Sequence, residues 1–133
     1  MSLQTQLAAL ITAIGADVKE LRETAAQPVT GLSIASGVVN IDCALGRNFT
    51  LTLTANVTSI TFSNLAGAGF ASEIEIQIAQ DATGSRTVAL PASFKALGGS
   101  DNVVASAANA VTVLSAKTFS NGTTWRYAMQ ESA

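Results

Sequence analysis

The chain has 133 residues, of which 48% are hydrophobic and only 12% are charged, and its net charge is −2. That length suits one domain with a short appendage. So little charge is typical of a subunit that hides surface against its neighbours, although a neutral surface of Ser, Thr and Asn would give the same composition. The acidic balance argues against nucleic acid as a partner.

The sequence also argues against a membrane partner. Its apolar stretches fall short of the roughly 18 residues that a membrane-spanning helix needs. The first cation, Lys19, comes too late for the charged start of a signal peptide. We therefore expect a protein that is made in a cytoplasm.

Residues 1–27 predict an N-terminal helix for oligomerisation or anchoring. Ser2 can cap its first turn, and Pro28 ends it because the residue before a proline is pushed out of the helical region. We expect the helix to run from about Leu3 to Ala25. Its apolar residues form one stripe, in which each of the last three follows one of the first three by eleven positions. The stripe consists of Leu3, Leu7, Leu10, Ile14, Val18 and Leu21.

The eleven-residue spacing predicts a nearly straight helix, because it keeps about 3.6 residues per turn. Heptad spacing would instead force a supercoil and place Asp17 on a core position. So short a helix is marginal in isolation and cannot bury the stripe on itself. We expect it to pack in a coiled-coil-like bundle of copies or in a groove of another protein. Gly15 lies in the middle of the helix, where glycine is unfavourable. Either the helix tolerates this cost, or the glycine allows another helix to approach closely.

From about Gly31 the apolar residues repeat with a period of two, which predicts seven or eight short strands. Ile74, Ile76 and Ile78 alternate with polar residues and mark a half-buried strand. A turn at 55–56 is predicted to return 57–62 as the partner of the preceding strand. The dipeptide at 121–122, Asn-Gly, predicts a hairpin. The fold class predicted for residues 28–133 is therefore an antiparallel β-sandwich, jelly-roll-like, and the chain is mainly β.

The sequence lacks the residues of common catalytic and metal centres. It has no histidine and a single cysteine, which removes Ser-His-Asp and Cys-His catalysis and most zinc sites. Cys43 alternates with Val39 and Ile41, so we expect a small buried hydrophobic side chain. Glu73 and Glu75 could bind Ca²⁺, but a solvated strand face is the simpler interpretation. We expect no enzyme activity, no cofactor and no metal.

Carbohydrate binding usually needs exposed aromatic side chains, and aromatic residues make up only 5% of the chain. The alternation of apolar and polar residues places five of them on inward-facing strand positions. These five are Phe49, Phe62, Phe119, Trp125 and Tyr127.

The helix and three β motifs together resemble small virion proteins of tailed bacteriophages. The motifs are a Gly-Arg-Asn-Phe-Thr segment starting at Gly46, a Gln-Asp-Ala-Thr-Gly turn ending at Gly84, and the Asn-Gly hairpin that closes on Trp125. The chain is similar to tail-fibre, head-fibre and capsid-decoration subunits. This resemblance implies a structural role in the virion, commonly as a homotrimer, with capsid or tail proteins as further partners.

Three functions remain open at this point. The first is a non-enzymatic, short trimeric fibre or spike on the tail or head, in which the helix pairs with itself. The second is a capsid decoration (cement) protein that bridges capsomers, in which the helix docks on the shell. The third is a receptor- or glycan-binding adhesin, which requires an exposed aromatic or acidic pocket.

Overall fold

The described residues form an α-helix followed by eight strands. The computed structural model describes the backbone of residues 2–132 and the side chains of these residues other than 22–25. The helix α1 spans Leu3–Ala25, as predicted, and the Ser2 hydroxyl accepts a hydrogen bond from the Thr5 N–H at 3.2 Å. The strands are β1 (Val29–Leu32), β2 (Val38–Asp42), β3 (Asn48–Leu53), β4 (Ser59–Ser63), β5 (Ser72–Gln80), β6 (Phe94–Ala96), β7 (Val111–Thr118) and β8 (Trp125–Glu131).

The strands form a large sheet with the order β1-β3-β5-β7-β8-β6 and a small sheet of β2 and β4. The large sheet is mixed and the small sheet is parallel, so the predicted antiparallel, jelly-roll-like pairing is wrong for four of the six strand pairs. Those four pairs are parallel, and antiparallel pairing is confined to β5–β7 and β7–β8. The predicted hairpin at 121–122 is confirmed, because it joins β7 to β8.

The parallel pairs arise because β1 to β5 wind as a coil between the two sheets. Of these five strands, β1, β3 and β5 lie in the large sheet and β2 and β4 in the small one. Each strand is therefore followed by one in the other layer, and the next strand of the same layer runs in the same direction. The predicted hairpin between β3 and β4 is consequently wrong, since β4 pairs with β2.

The strand directions give the β unit two distinct ends. The N-termini of β1, β3, β5, β6 and β8 lie together with the C-termini of β2, β4 and β7. We call this the helix end, because α1 enters β1 there. The segments 43–47, 64–71, 91–93 and 119–124 also lie at the helix end, and the long loop 97–110 lies at the far end.

The inner faces of both sheets contribute to one core, whose centre is aromatic. Trp125 has no exposed surface, and its ring centroid lies 4.7 Å from that of Phe62 and 5.5 Å from that of Phe94. Phe62 belongs to the small sheet and the other two to the large sheet, so this cluster joins the layers. Offset stacking of this kind adds to the burial energy of each ring. Four of the five predicted inward-facing aromatic side chains are buried or half-buried, but Phe119 is 73% exposed.

A buried amide fixes the far end of the β unit. The Gln80 side chain donates to the carbonyl oxygens of Arg86 (2.8 Å) and Ala105 (2.7 Å) and accepts from the Arg86 N–H (3.0 Å). Gly84 lies in the same turn with φ +72°, and an added Cβ would stand 2.7 Å from the Ala108 nitrogen. Both features hold the turn after β5 against the long loop 97–110.

Candidate assembly surfaces

The apolar stripe of α1 is open to solvent along its whole length. The exposed fractions are 78% for Leu3, 53% for Leu7, 55% for Leu10, 52% for Ile14, 48% for Val18 and 70% for Leu21. No β strand covers the stripe in the part of the chain that the structure describes. Large apolar side chains left this accessible along one helix face are typical of a surface that is covered by another molecule.

Ile11 widens the stripe and was missed in the sequence. It is 62% exposed and lies one helical turn after Leu7. At about 100° per residue, the stripe with Ile11 covers an arc of roughly 100°. Its spacing of four residues from Leu7 could have placed Ile11 on the same helix face. The prediction followed the eleven-residue repeat, and Ile11 is not part of that repeat. The opposite face carries small and polar residues, Thr12 and Ala16 among them.

Three loops at the helix end also present large apolar side chains to solvent. Leu45 is 52% exposed, Phe70 is 68% exposed and Phe119 is 73% exposed. The Lys117 ammonium lies 5.3 Å from the centroid of the Phe119 ring. A groove of about 720 Å³ lies between this end and the last turns of α1, and Glu20, Pro28 and Leu45 help to line it. The helix end of the β unit therefore exposes one large apolar side chain on each of three loops.

A row of charges crosses the outer face of the large sheet near the helix end. Register places Glu73 opposite Lys117, Lys117 opposite Arg126, and Arg126 opposite Lys95. Glu73 forms ion pairs with Arg47 and with Lys117, whose Nζ lies 3.5 Å from a Glu73 oxygen. Like charges on directly opposite strand positions destabilise a sheet. This row could not be predicted from the sequence, because it exists only once four strands are in register.

Glu73 and Glu75 do not form a cation site in the structure. Glu73 is engaged by two basic side chains, and Glu75 accepts a hydrogen bond from the Ser115 hydroxyl at 3.3 Å. Among the described residues, no group of three or more His, Cys, Asp or Glu side chains is placed to hold a metal ion.

Cys43 lies in a short 3-10 helix, Cys43–Leu45, directly after β2, and it is half-buried. The expected strand position is therefore wrong by one residue. Burial and the neighbouring Asp42 carboxylate raise the pKa of the Cys43 thiol. Hydrogen bonds from the Asn64 amide and the Ala44 N–H lower the pKa of Asp42. A thiol held in its neutral form is a poor nucleophile.

The described residues thus form a compact β unit preceded by a helix whose apolar stripe is uncovered. Residues 42–125 match the family model described as "Putative phage tail fibre C-terminal domain". The match covers more than half of the chain, and the chain belongs to this family. It is a phage virion structural protein of tail-fibre type. The matched span runs from the last residue of β2 to the first of β8, so α1 and β1 lie outside it.

Comparison with curated proteins and with solved structures returned no significant match. Within the described residues, no helix is both long and apolar enough to cross a membrane.

Proposed function

We propose that the protein is a non-enzymatic structural subunit of a phage tail fibre, which assembles as a homotrimer through α1. The observation that carries this proposal is the uncovered stripe of seven large apolar side chains on α1, each at least 48% exposed. Membership of the tail fibre family supports a fibre role more directly than capsid decoration. The trimer itself is supported by the resemblance to trimeric virion proteins.

The geometry of α1 suits a short, nearly straight bundle. Its 23 residues span about 35 Å at 1.5 Å per residue. The eleven-residue spacing keeps the stripe on one side of a helix without strong supercoiling. In this arrangement α1 forms the stalk or the anchor, other virion proteins hold it, and the β units project from it. Three linked copies then bind a repeating partner more tightly than one copy does.

The position in the particle is tested by labelling. An epitope tag placed after residue 132 should be detected by gold-conjugated antibody at the tail of purified virions. Label spread evenly over the capsid would contradict the fibre role and support a decoration protein instead.

A second candidate function is receptor or glycan binding, which the exposed rings of Phe70 and Phe119 favour. Aromatic faces of this kind are common platforms for ligands with one apolar side. Their place at the helix end, beside the proposed stalk, fits packing between copies better than contact with a distant cell surface. If they do bind a receptor, Phe70→Ala with Phe119→Ala should reduce attachment of the labelled protein to host cells without changing its assembly.

A further inference from the structure

The first strand of the large sheet leaves one edge without a strand partner in the described chain. β1 pairs with β3 on one side and is the terminal strand of the sheet on the other. Exposed edges are usually protected by charge, proline or a bulge, because their free N–H and C=O groups pair readily with other chains. The β6 strand at the opposite edge carries Lys95, whereas the four residues of β1 (Val-Thr-Gly-Leu) carry no charge.

The described residues give no reason for a glycine at position 31 in the interior of β1. Its φ is not in the left-handed region. A Cβ added there would meet only the Thr50 hydroxyl oxygen, at the ordinary contact distance of 3.9 Å. Glycine weakens a strand, and in strand interiors it often marks a place where another backbone approaches closely. A close contact with another molecule at this strand would account for the glycine.

Exposed apolar residues surround this edge at the helix end. Val29 is 65% exposed, and Leu45 is 52% exposed. Their segments adjoin, since a Cβ added at Gly46 would stand 3.4 Å from the Pro28 ring. The end of the helical stripe at Leu21 lies only eight residues before Val29 in the chain.

The short link between α1 and β1 identifies the occupant. Only residues 26–28 separate Ala25 from Val29, so their Cα atoms are at most about 14 Å apart. A parallel bundle of α1 therefore brings the β1 strands of its copies together at its base. A stable interface also needs about 20–30 residues on each side, which the stripe on α1 does not supply alone.

We propose that β1, through its free edge and the Val29 and Gly31 positions on its exposed face, packs together with Leu45 against a second copy of this chain at the base of the helix bundle. This inference rests on the proposed self-association of α1. It adds a contact within the β unit that stabilises the assembly.

The test is Gly31→Val in the full chain, with Thr50→Val as the matched control on the neighbouring strand. Valine favours strands and restricts the unfolded chain. It should therefore leave unchanged or raise the Tm of a full chain made monomeric by Leu10→Asp with Ile14→Asp. In the otherwise wild-type chain, the same Gly31→Val should raise the concentration at which the oligomer dissociates by about tenfold or more. Thr50→Val should not change that concentration.

The outcomes separate the two proposals. An oligomer that dissociates at an unchanged concentration in Gly31→Val overturns the β1 contact and leaves the helix bundle intact. A lowered Tm of Gly31→Val in the monomeric chain also overturns the contact, because the glycine then serves its own domain. A wild-type chain that is monomeric at all concentrations contradicts self-association of α1 and the β1 contact together.

Discussion

The β unit buries most of its large apolar side chains, whereas the helix exposes its own. In the β unit, sixteen apolar residues are at most 8% exposed, whereas the seven large apolar residues of α1 are 48% to 78% exposed. Burying one such side chain contributes about 1.5–3 kcal/mol. The β unit gains this energy from its own residues. The helix gains it only by contact with other molecules, so substitutions in the two regions should affect different measurements.

The largest effect is expected for Trp125→Ala in the β unit. Removing a fully buried indole leaves a cavity between Phe62 and Phe94 and should lower the free energy of unfolding by about 3–5 kcal/mol. Chemical denaturation monitored by far-UV circular dichroism measures this change. The control is Phe119→Ala, which removes a 73% exposed ring and should change the unfolding free energy by less than about 0.5 kcal/mol. Equal losses in both variants would contradict the assigned core.

A smaller loss is expected for Gln80→Leu. The substitution leaves the Arg86 N–H and the carbonyl oxygens of Arg86 and Ala105 without their partner. An unsatisfied buried polar group costs about 1–3 kcal/mol. Water that enters the loosened turn should satisfy some of the three groups, so we expect the free energy of unfolding to fall by about 3 kcal/mol. Gln77→Leu on the exposed face of the same strand is the control. If the two variants unfold at the same denaturant concentration, the amide does not fix the far end.

The smallest effect is expected from pH, through Asp81. Burial alone would raise the pKa of the Asp81 carboxyl, but hydrogen bonds from the Arg86 guanidinium and the N–H groups of Gly84 and Thr83 lower it overall. A carboxyl with a lowered pKa in the folded state stabilises that state above its unfolded pKa. This contribution is lost as the pH falls through the folded value.

Wild type should therefore lose stability below about pH 4, the range of unperturbed carboxyl groups. Asp81→Asn should be less stable at pH 6 and should show a shallower fall between pH 6 and pH 3. Thermal unfolding at a series of pH values measures both slopes. Parallel curves for the two proteins would show that the Arg86 contact does not carry the acid sensitivity.

Local features of the sequence were enough to predict the elements whose cause is local. Pro28 and the stripe define α1, and the alternation of Ile74, Ile76 and Ile78 identifies the inner face of β5. Sheet order could not be predicted in this way. A strand buried on one side has the same period of two whether the chain returns as a hairpin or crosses to the other layer.

Phe119 shows that apolar character alone does not predict which face of the sheet a side chain occupies at the end of a strand. Alternation from the exposed Lys117 places Phe119 on the outer face, but its apolar character suggested the inner one. The inner position belongs to Thr118, which has no exposed surface. Its hydroxyl oxygen accepts hydrogen bonds from the N–H groups of Ser120 and Gly122 in the hairpin. Hydrogen bonding of the turn therefore decides which side chain faces inward.

The central claim is that α1 serves assembly and not the stability of the β unit. The most direct test is the solution mass by light scattering of the wild-type chain, of Leu10→Asp with Ile14→Asp, and of the control Thr12→Asp with Ala16→Asp. The control places two charges with the same spacing on the opposite face of α1. Two aspartates buried in a bundle should cost several kcal/mol through desolvation.

We expect wild type and control to have three times the 13.5 kDa mass of the chain, and the stripe variant to be a monomer whose β unit still unfolds in one cooperative transition. A stripe variant that remains a trimer, or a wild-type chain that is a monomer, would contradict the account.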